Sequence, residues 1–409
     1  MNTMRLMVYS HDAFGLGNLR RMLAISEYLL SCWPRLSILL VSGSPMLQGF
    51  RLPKGLDYIK LPCLSRGISG ELSAKYLGTS IEETVELRSQ LICSAATYFK
   101  PDLLLVDKKP AGLKGELTPT LNYLQQWLPK TKRILLLRDI LDAPQKTIYE
   151  WKKLGYYQAI QAHYDQIQIV GMQTVFDLVQ EYRLPLPIAH KVRYCGYVRK
   201  QPGNRSRADL RQQLGVGEAD RLVLVTPGGG EDGYDLVHTY LQGLKSLQAQ
   251  PGIGETVHSL ILCGPEMPGE QQMRLQRLAA TCTKITLQNF TDDLLSYLAA
   301  ADAVVSMGGY NTLTEILTLG KRTVVVPRVT PSQEQLIRAT RFTERGLVDM
   351  IHPANVTPRS LIQAVIKQLT SKSELQAGLD FNGLPQVANH LAALLSPAQP
   401  SIPPLYQLA

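Results

Sequence analysis

The stretch 302–335, DAVVSMGGYNTLTEILTLGKRTVVVPRVTPSQEQ, decides the fold of this chain. Ala303 to Ser306 read as a buried strand that runs into the glycine pair Gly308-Gly309. Asn311 and Thr312 open a helix that stops at Gly320, with Glu315 expected in its first turn. A second apolar strand, Thr323 to Val326, ends at Pro327, and Glu334 and Gln335 follow a Pro-containing loop. Strand, glycine turn and helix start are how a parallel α/β sheet builds an anion site, because free N–H groups and the helix dipole face the turn. A carboxylate there does not suit phosphate alone. It suits a ligand that also carries a diol such as a ribose, since an ionised carboxylate accepts two hydrogen bonds.

Outward from this motif the same alternation continues. In the first half, strands are expected at 5–10, 36–43, 58–63, 102–107, 133–139 and 166–171, with helices over 19–30, 80–99, 118–128 and 145–162. A polar Pro/Gly-rich stretch, 194–206, reads as a linker. The pattern then restarts with a helix at 206–214, a strand and glycine loop at 221–230, and a helix at 234–248. Strands at 258–264 and 284–290 alternate with helices at 270–281 and 292–300, and helices at 333–345, 358–370 and 385–395 follow the opening motif. The fold class is therefore α/β, with two doubly wound Rossmann-like domains facing a central cleft. The expected divisions are 1–196, 197–375, and a C-terminal helix with a Pro-rich tail, 376–409, that packs back on the first domain. Ligands of open α/β sheets sit at the carboxyl ends of the strands, so the glycine loops should line the cleft.

The totals bound the function. With 409 residues, 45% hydrophobic and 19% charged, the composition is that of a soluble globular protein of two domains. No apolar run is long enough to cross a bilayer, and MNTMRLMVYS leads directly into a strand, so a cytoplasmic location is expected. Six scattered cysteines without a CxxC pair or a histidine cluster argue against a zinc site or a disulfide framework. Neither a metal nor another cofactor is expected. A net charge of +9 favours anionic partners: a phosphorylated ligand, nucleic acid or an anionic membrane surface. The motifs select the phosphorylated ligand, and nucleic acid is not among the expected partners.

Three loops carry candidate chemistry. In SHDAFGLGNLRR, 10–21, Gly15 and Gly17 permit close backbone approach and Asn18 starts a helix. This is not the dinucleotide fingerprint, because Arg20 stands where a third glycine is required and no acidic residue ends the second strand. His11 is placed to act as a general base toward a hydroxyl in the cleft, or is a turn histidine satisfied by backbone. Arg20 and Arg21 meet an anion or lie on a solvated helix face. In TPGGGEDGYD, 226–235, Gly228, Gly229 and Gly230 let backbone N–H groups reach an anion, while Glu231 and Asp232 suggest hydroxyl contacts or solvation. In the opening motif, the backbone of Gly308, Gly309, Asn311 and Thr312 suits a diphosphate. Glu315 suits a ribose or caps its helix, and Glu334 with Gln335 suits sugar hydroxyls or starts a helix. Phe290 reaches a base or packs in the core.

Residues 289–346, NFTDDLLSYLAAADAVVSMGGYNTLTEILTLGKRTVVVPR and then SQEQLIRATRFTERG, resemble the nucleotide-sugar domain of GT-B glycosyltransferases. They are similar in particular to the group containing the N-acetylglucosaminyltransferase that completes lipid II. The resemblance implies that Gly308, Gly309 and Thr312 receive a diphosphate, that Glu315 binds ribose, and that Glu334 and Gln335 contact the donor sugar. It also implies backbone contacts to the base near Asn289 and Phe290. The opening HDAFGLGNLRR is similar, more loosely, to that family's N-terminal G-x-G-H loop, with Asn18 in the place of the histidine. It looks more like the openings of uncharacterised bacterial glycosyltransferase-like proteins. Asparagine cannot serve as a base, which leaves His11.

What the resemblance implies is metal-independent, inverting transfer of a hexosyl or N-acetylhexosaminyl group from a nucleotide-diphosphate sugar, UDP-linked. The acceptor would be a hydroxyl of a small molecule or a lipid-linked glycan, and the basic net charge suits peripheral contact with the inner face of an anionic membrane. The alternatives are a nucleotide-sugar epimerase or hydrolase of the same architecture, which needs further acid/base carboxylates in the cleft, and a non-catalytic nucleotide-sugar binding protein.

Overall fold

The apolar runs of the first half become strands buried on both faces. The computed structural model describes residues 3–11, 17–66, 71–200, 202–250, 252–371 and 378–395. In it, β1 (Met4–Ser10), β2 (Leu36–Ser42), β3 (Leu56–Lys60), a hairpin of β4 (Leu64–Arg66) and β5 (Leu72–Ala74), β6 (Leu103–Asp107), β7 (Lys132–Arg138), β8 (Gln166–Val170) and β9 (Val192–Tyr194) follow in order. All but the hairpin join one sheet in the order β3-β2-β1-β6-β7-β8-β9, with every neighbour parallel. Successive residues face opposite layers. Leu6, Val8, Leu103, Leu105, Ile134 and Leu136 enter one apolar cluster, and Met7, Tyr9, Leu104, Val106, Leu135 and Leu137 enter another. With both faces covered, the strands read as continuous apolar runs rather than as alternation.

The second half repeats the plan with β10 (Arg221–Thr226), β11 (Val257–Leu262), β12 (Ile285–Gln288), β13 (Ala303–Ser306), β14 (Arg322–Val325) and β15 (Asp349–Met350). Their order is β12-β11-β10-β13-β14-β15, again all parallel. Each sheet therefore reverses its winding once, between β1 and β6 and between β10 and β13, and a crevice opens outside the carboxyl ends at each reversal. This is the α/β, two-sheet architecture expected from the sequence. Helix Gly383–Leu395 contributes Leu384, Val387 and Leu391 to a cluster that also holds Leu19 and Met22 of helix Gly17–Cys32 and Leu222 and Leu224 of β10.

Several expectations need correction. The helix expected over 145–162 is two, Pro144–Lys153 and Tyr156–His163, because Gly155 turns into the left-handed region at φ 66°. The hairpin β4-β5 carries too few residues for a periodic signal. The stretch expected as a linker begins inside β9 and then packs: Cys195 and Tyr197 are buried, Tyr197 N donates to Asp380 O at 2.7 Å, and Val198 bridges Asn382. The helix of the opening motif is Tyr310–Thr318, so it starts one residue earlier than expected.

A buried ion pair joins the two sheets. Arg338, on helix Glu334–Thr343, donates from Nε and Nη2 to the Asp139 carboxylate at 2.9 and 2.8 Å, and from Nη1 to Gly308 O at 3.2 Å. Both side chains are 1% exposed. At the rim, Gln333 N donates to Asp142 Oδ1 at 2.8 Å and Arg341 Nη2 meets Glu181 at 2.9 Å. Replacing Arg338 strands the Asp139 carboxylate without its partner. Arg338→Met is expected to cost about 3–5 kcal/mol, read as a lower urea midpoint. An unchanged midpoint would show that the pair does not hold the sheets together.

Candidate active site between the two sheets

The loops after β10 and β13 meet. Gly228 and Gly308 are left-handed, with φ of 88° and 86°, and a Cβ on Gly228 would lie 3.7 Å from Thr312 Oγ1. Around Gly309 there is open space, and helix Tyr310–Thr318 begins there with no side-chain cap. Its first N–H groups thus face the turn without a capping side chain, as an anion requires. Gly230 has a packing reason instead: a side chain there would collide with the Cys263 carbonyl oxygen. A Cβ on Gly229 would press against the Glu266 carboxylate at 2.7 Å.

Glu315 lies in the second turn of its helix, not the first, because the helix already begins at Tyr310. It is therefore not a helix-capping carboxylate. It is buried and accepts a hydrogen bond from Lys200 Nζ in an ion pair. The two line a cavity of about 490 Å³, with Arg20, Glu27, Asn204 and Asp292 among its walls. Phe290 is 46% exposed, which removes the core-packing reading, and the Arg20 guanidinium stands 5.7 Å from its ring centroid. Asn311 is engaged elsewhere: its Nδ2 donates to Gly17 O at 2.9 Å, which ties the first glycine loop to the third. Gly15 lies outside the described residues.

On the opposite wall, Asn18 is a brace. Its Nδ2 donates to His11 O at 2.8 Å and its Oδ1 accepts from Arg21 Nη2 at 3.1 Å. Arg21 is buried against Asp107 at 2.6 Å, so it is not on a solvated face. His11 directly follows β1 with 9% of its surface exposed, and its Nδ1 has no partner among the described residues. Burial first, then the charges of Lys108, Lys109, Arg88 and Arg138, hold its pKa well below the ordinary 6.5. Lys108, the first residue after β6, has φ 65° and a pKa lowered to about 8 by burial and by Arg138.

Glu334 and Gln335 open their helix as expected. Arg138 Nη2 meets Glu334 Oε2 at 2.5 Å. Burial would raise the Glu334 carboxyl, but Arg138, Arg338, Lys108 and Arg328 outweigh it and hold the pKa below its usual value. Gln335 Oε1 accepts from Arg328 N at 3.0 Å. Sequence reasoning singled out none of Lys108, Arg138, Asp139, Lys200 or Arg338. For Lys108 and Arg138 a signal existed, since each sits at a carboxyl end of an expected strand.

Two doubly wound sheets whose carboxyl edges and glycine loops face one cleft make this a GT-B fold. Residues 222–388 match the model of the glycosyltransferase family 28 C-terminal domain. An uncharacterized glycosyltransferase of Methanopyrus kandleri is 26% identical over 190 residues, 46% of this chain and 50% of its own length. A UDP-N-acetylglucosamine–N-acetylmuramyl-(pentapeptide) pyrophosphoryl-undecaprenol N-acetylglucosamine transferase of Desulforudis audaxviator is 23% identical over 359 residues, 85% of this chain and 86% of its own length. The chain thus spans about half the length of the first curated relatives it matches, and most of this one. Among solved structures, the glycotransferase of kitacinnamycin has the same fold with a TM-score of 0.65 and 15% identity, covering 97% of this chain and 100% of its own.

The buried histidine predicts a pH effect on stability. The folded-state pKa of His11 lies below 6.5, so beneath pH 6.5 the unfolded chain binds more protons there than the folded one. Stability falls as pH drops through that window and is fully present above it. In urea unfolding, the wild type should lose stability below pH 6.5 more steeply than His11→Gln. Equal slopes would contradict the buried, neutral state of His11.

Proposed function

We propose that the chain is an inverting glycosyltransferase that takes a hexosyl or N-acetylhexosaminyl group from a UDP-linked donor. The observation that carries this reading is the uncapped helix start at Gly309 close to the buried Glu315 carboxylate on its cavity, with His11 on the facing sheet. The diphosphate lies on the N–H groups of the Gly308–Thr312 turn, with Gly228 beside it. The ribose hydroxyls replace Lys200 Nζ on Glu315, and the base occupies the cavity near Phe290. Glu334 and Gln335 hold the sugar. The acceptor oxygen attacks the anomeric carbon as the bond from that carbon to the phosphate oxygen breaks. The electron pair stays on the departing diphosphate, which the amides and helix dipole stabilise. His11, neutral before transfer, takes the acceptor proton.

Three cleft carboxylates offer no acid or base for an epimerase or hydrolase. Asp107, Asp139 and Glu334 are each paired with an arginine, which leaves none of them as an unpaired acid or base. The relative from Desulforudis audaxviator, named for an undecaprenol-linked acceptor, supports a lipid-linked acceptor here. Helix Ile81–Phe99 exposes Leu87, Leu91 and Tyr98, which share one face, and Trp127 is exposed on the neighbouring helix Thr118–Trp127. Exposed Lys100 and Lys130 flank the hydrogen-bonded pair Pro101 and Thr131 at the ends of these helices. An apolar stripe with basic neighbours on a chain of net charge +9 suits the surface of an anionic bilayer.

Calorimetry with UDP and a screen for UDP released from several nucleotide sugars test the reading. Glu315→Ala should weaken UDP binding roughly 10- to 100-fold, as expected for lost hydrogen bonds to a charged group. His11→Ala should leave UDP affinity unchanged and lower kcat by about 10²–10⁴. Full turnover in His11→Ala rules out the base, and absence of any nucleotide binding sinks the whole reading.

Sedimentation with vesicles containing anionic lipid tests the surface. The wild type should pellet with them, and Leu87→Ser with Leu91→Ser should not. Equal behaviour of the two proteins refutes membrane contact at this helix.

A further inference from the structure

Glu315 and Lys200 share their cavity with a further carboxylate, Glu27. The three come from three parts of the chain. Glu315 stands on helix Tyr310–Thr318 of the second half, Glu27 on helix Gly17–Cys32 of the first, and Lys200 on the stretch that joins the halves. Lys200 is paired with Glu315. Glu27 makes no ion pair or hydrogen bond among the described residues. Loss of water around it raises its carboxyl pKa and Lys200 draws it back down, so the field of the ammonium already reaches it. One ammonium thus stands between two carboxylates, one on each half. Its stem is anchored, since Tyr197 N donates to Asp380 O at 2.7 Å and Val198 bridges Asn382. The ammonium can change partner by side-chain rotation while the backbone stays in place.

A diol arriving at Glu315 needs that carboxylate free, and the ammonium it releases needs another anion, because an unpaired charge in a partly closed cavity is costly. We propose that Lys200 is a built-in blocker of the ribose carboxylate, and that Glu27 receives it when the nucleotide enters. Asp293, on the same wall, is already taken: it accepts from Ser296 Oγ at 2.6 Å and faces Arg205. Asp292, also on the wall, is the rival acceptor. The affinity measured for the donor is then the intrinsic one reduced by the fraction of molecules in which Glu315 is open. The swap takes Lys200 from a carboxylate of the second half to one of the first, so donor binding fastens the joining stretch to the first half. The inference rests on the donor reading of Glu315.

UDP, titrated calorimetrically into the full chain, is the probe. Lys200→Met removes the blocker and should tighten UDP binding about two- to fivefold, the worth of an ion pair that is not wholly buried. Lys200→Arg keeps the charge and should not tighten it. Glu27→Gln removes the receiver and should weaken UDP binding about twofold or more while Lys200 is present, and have no effect in Lys200→Met. Asp292→Asn should show no such dependence on Lys200. A pairing of Lys200 with Glu315 that serves only the fold gives no coupling between Lys200 and Glu27. Unchanged or weaker UDP binding in Lys200→Met overturns the inference, and so does an equal effect of Glu27→Gln with and without Lys200, or the same dependence appearing at Asp292 instead. Lys200→Met strands a buried carboxylate, whereas Glu27 is exposed. Glu27→Gln should therefore fold even where Lys200→Met does not, and unchanged UDP affinity in Glu27→Gln overturns the inference by itself. UDP binding without the coupling removes this inference alone. If the wild type binds no UDP, the donor reading fails and the inference falls with it.

Discussion

The contact on which the cleft depends is the guanidinium of Arg338. It grips Asp139 at the end of β7 with two hydrogen bonds and Gly308 O in the turn after β13 with a third. One side chain thereby joins the edge of the first sheet to the glycine turn of the second. The adjacent pair repeats the pattern. Arg138 and Asp139 are neighbours in sequence, and Glu334 and Arg338 lie one turn apart on one helix, so two ion pairs form side by side. Buried pairs of this kind add little net stability over apolar packing, because desolvation offsets the attraction. Their directional bonds nevertheless fix which face of one sheet meets which face of the other.

How much of this was legible follows from where the information is stored. Strands buried on both faces announce themselves as apolar runs, and two halves with the same alternation imply two sheets. The turn at Gly308-Gly309 is local: strand, glycine and helix start are contiguous in the chain. The helix starts at Tyr310, one residue before the expected start, and Glu315, the sixth residue from it, lies in the second turn rather than the first. The break at Gly155 was missed because the apolar pattern continues across it. The ion pairs of Arg138 and Arg338 join residues separated by 196 and 199 positions, and no window of sequence contains both partners. Asn18 was recognised as an odd residue for a base, yet its bonds to the His11 carbonyl and to Arg21 depend on how the loop folds.

The two walls of the cleft are chemically unlike. The second sheet presents backbone N–H groups at a glycine turn, which suit an anion without adding a formal charge. The first sheet presents whole charges, Lys108, Lys109 and Arg138, around a histidine whose pKa is lowered first by burial and then by these charges. A base held neutral in this way is ready to accept a proton, and its protonated form is correspondingly acidic. The proton it takes is therefore easily passed on, which suits a group that must be neutral again before the next cycle.

Lys200 gives the donor side a different character. Its ammonium already sits on the carboxylate proposed for the ribose, so an incoming nucleoside competes with a tethered cation of the same chain. Added salt screens that internal rival, although half-burial of Lys200 limits the effect, and it also screens the attraction between a diphosphate and a basic cleft. The two ends of one ligand then respond to ionic strength in opposite senses. A nucleoside without phosphates would gain from salt what a nucleotide loses.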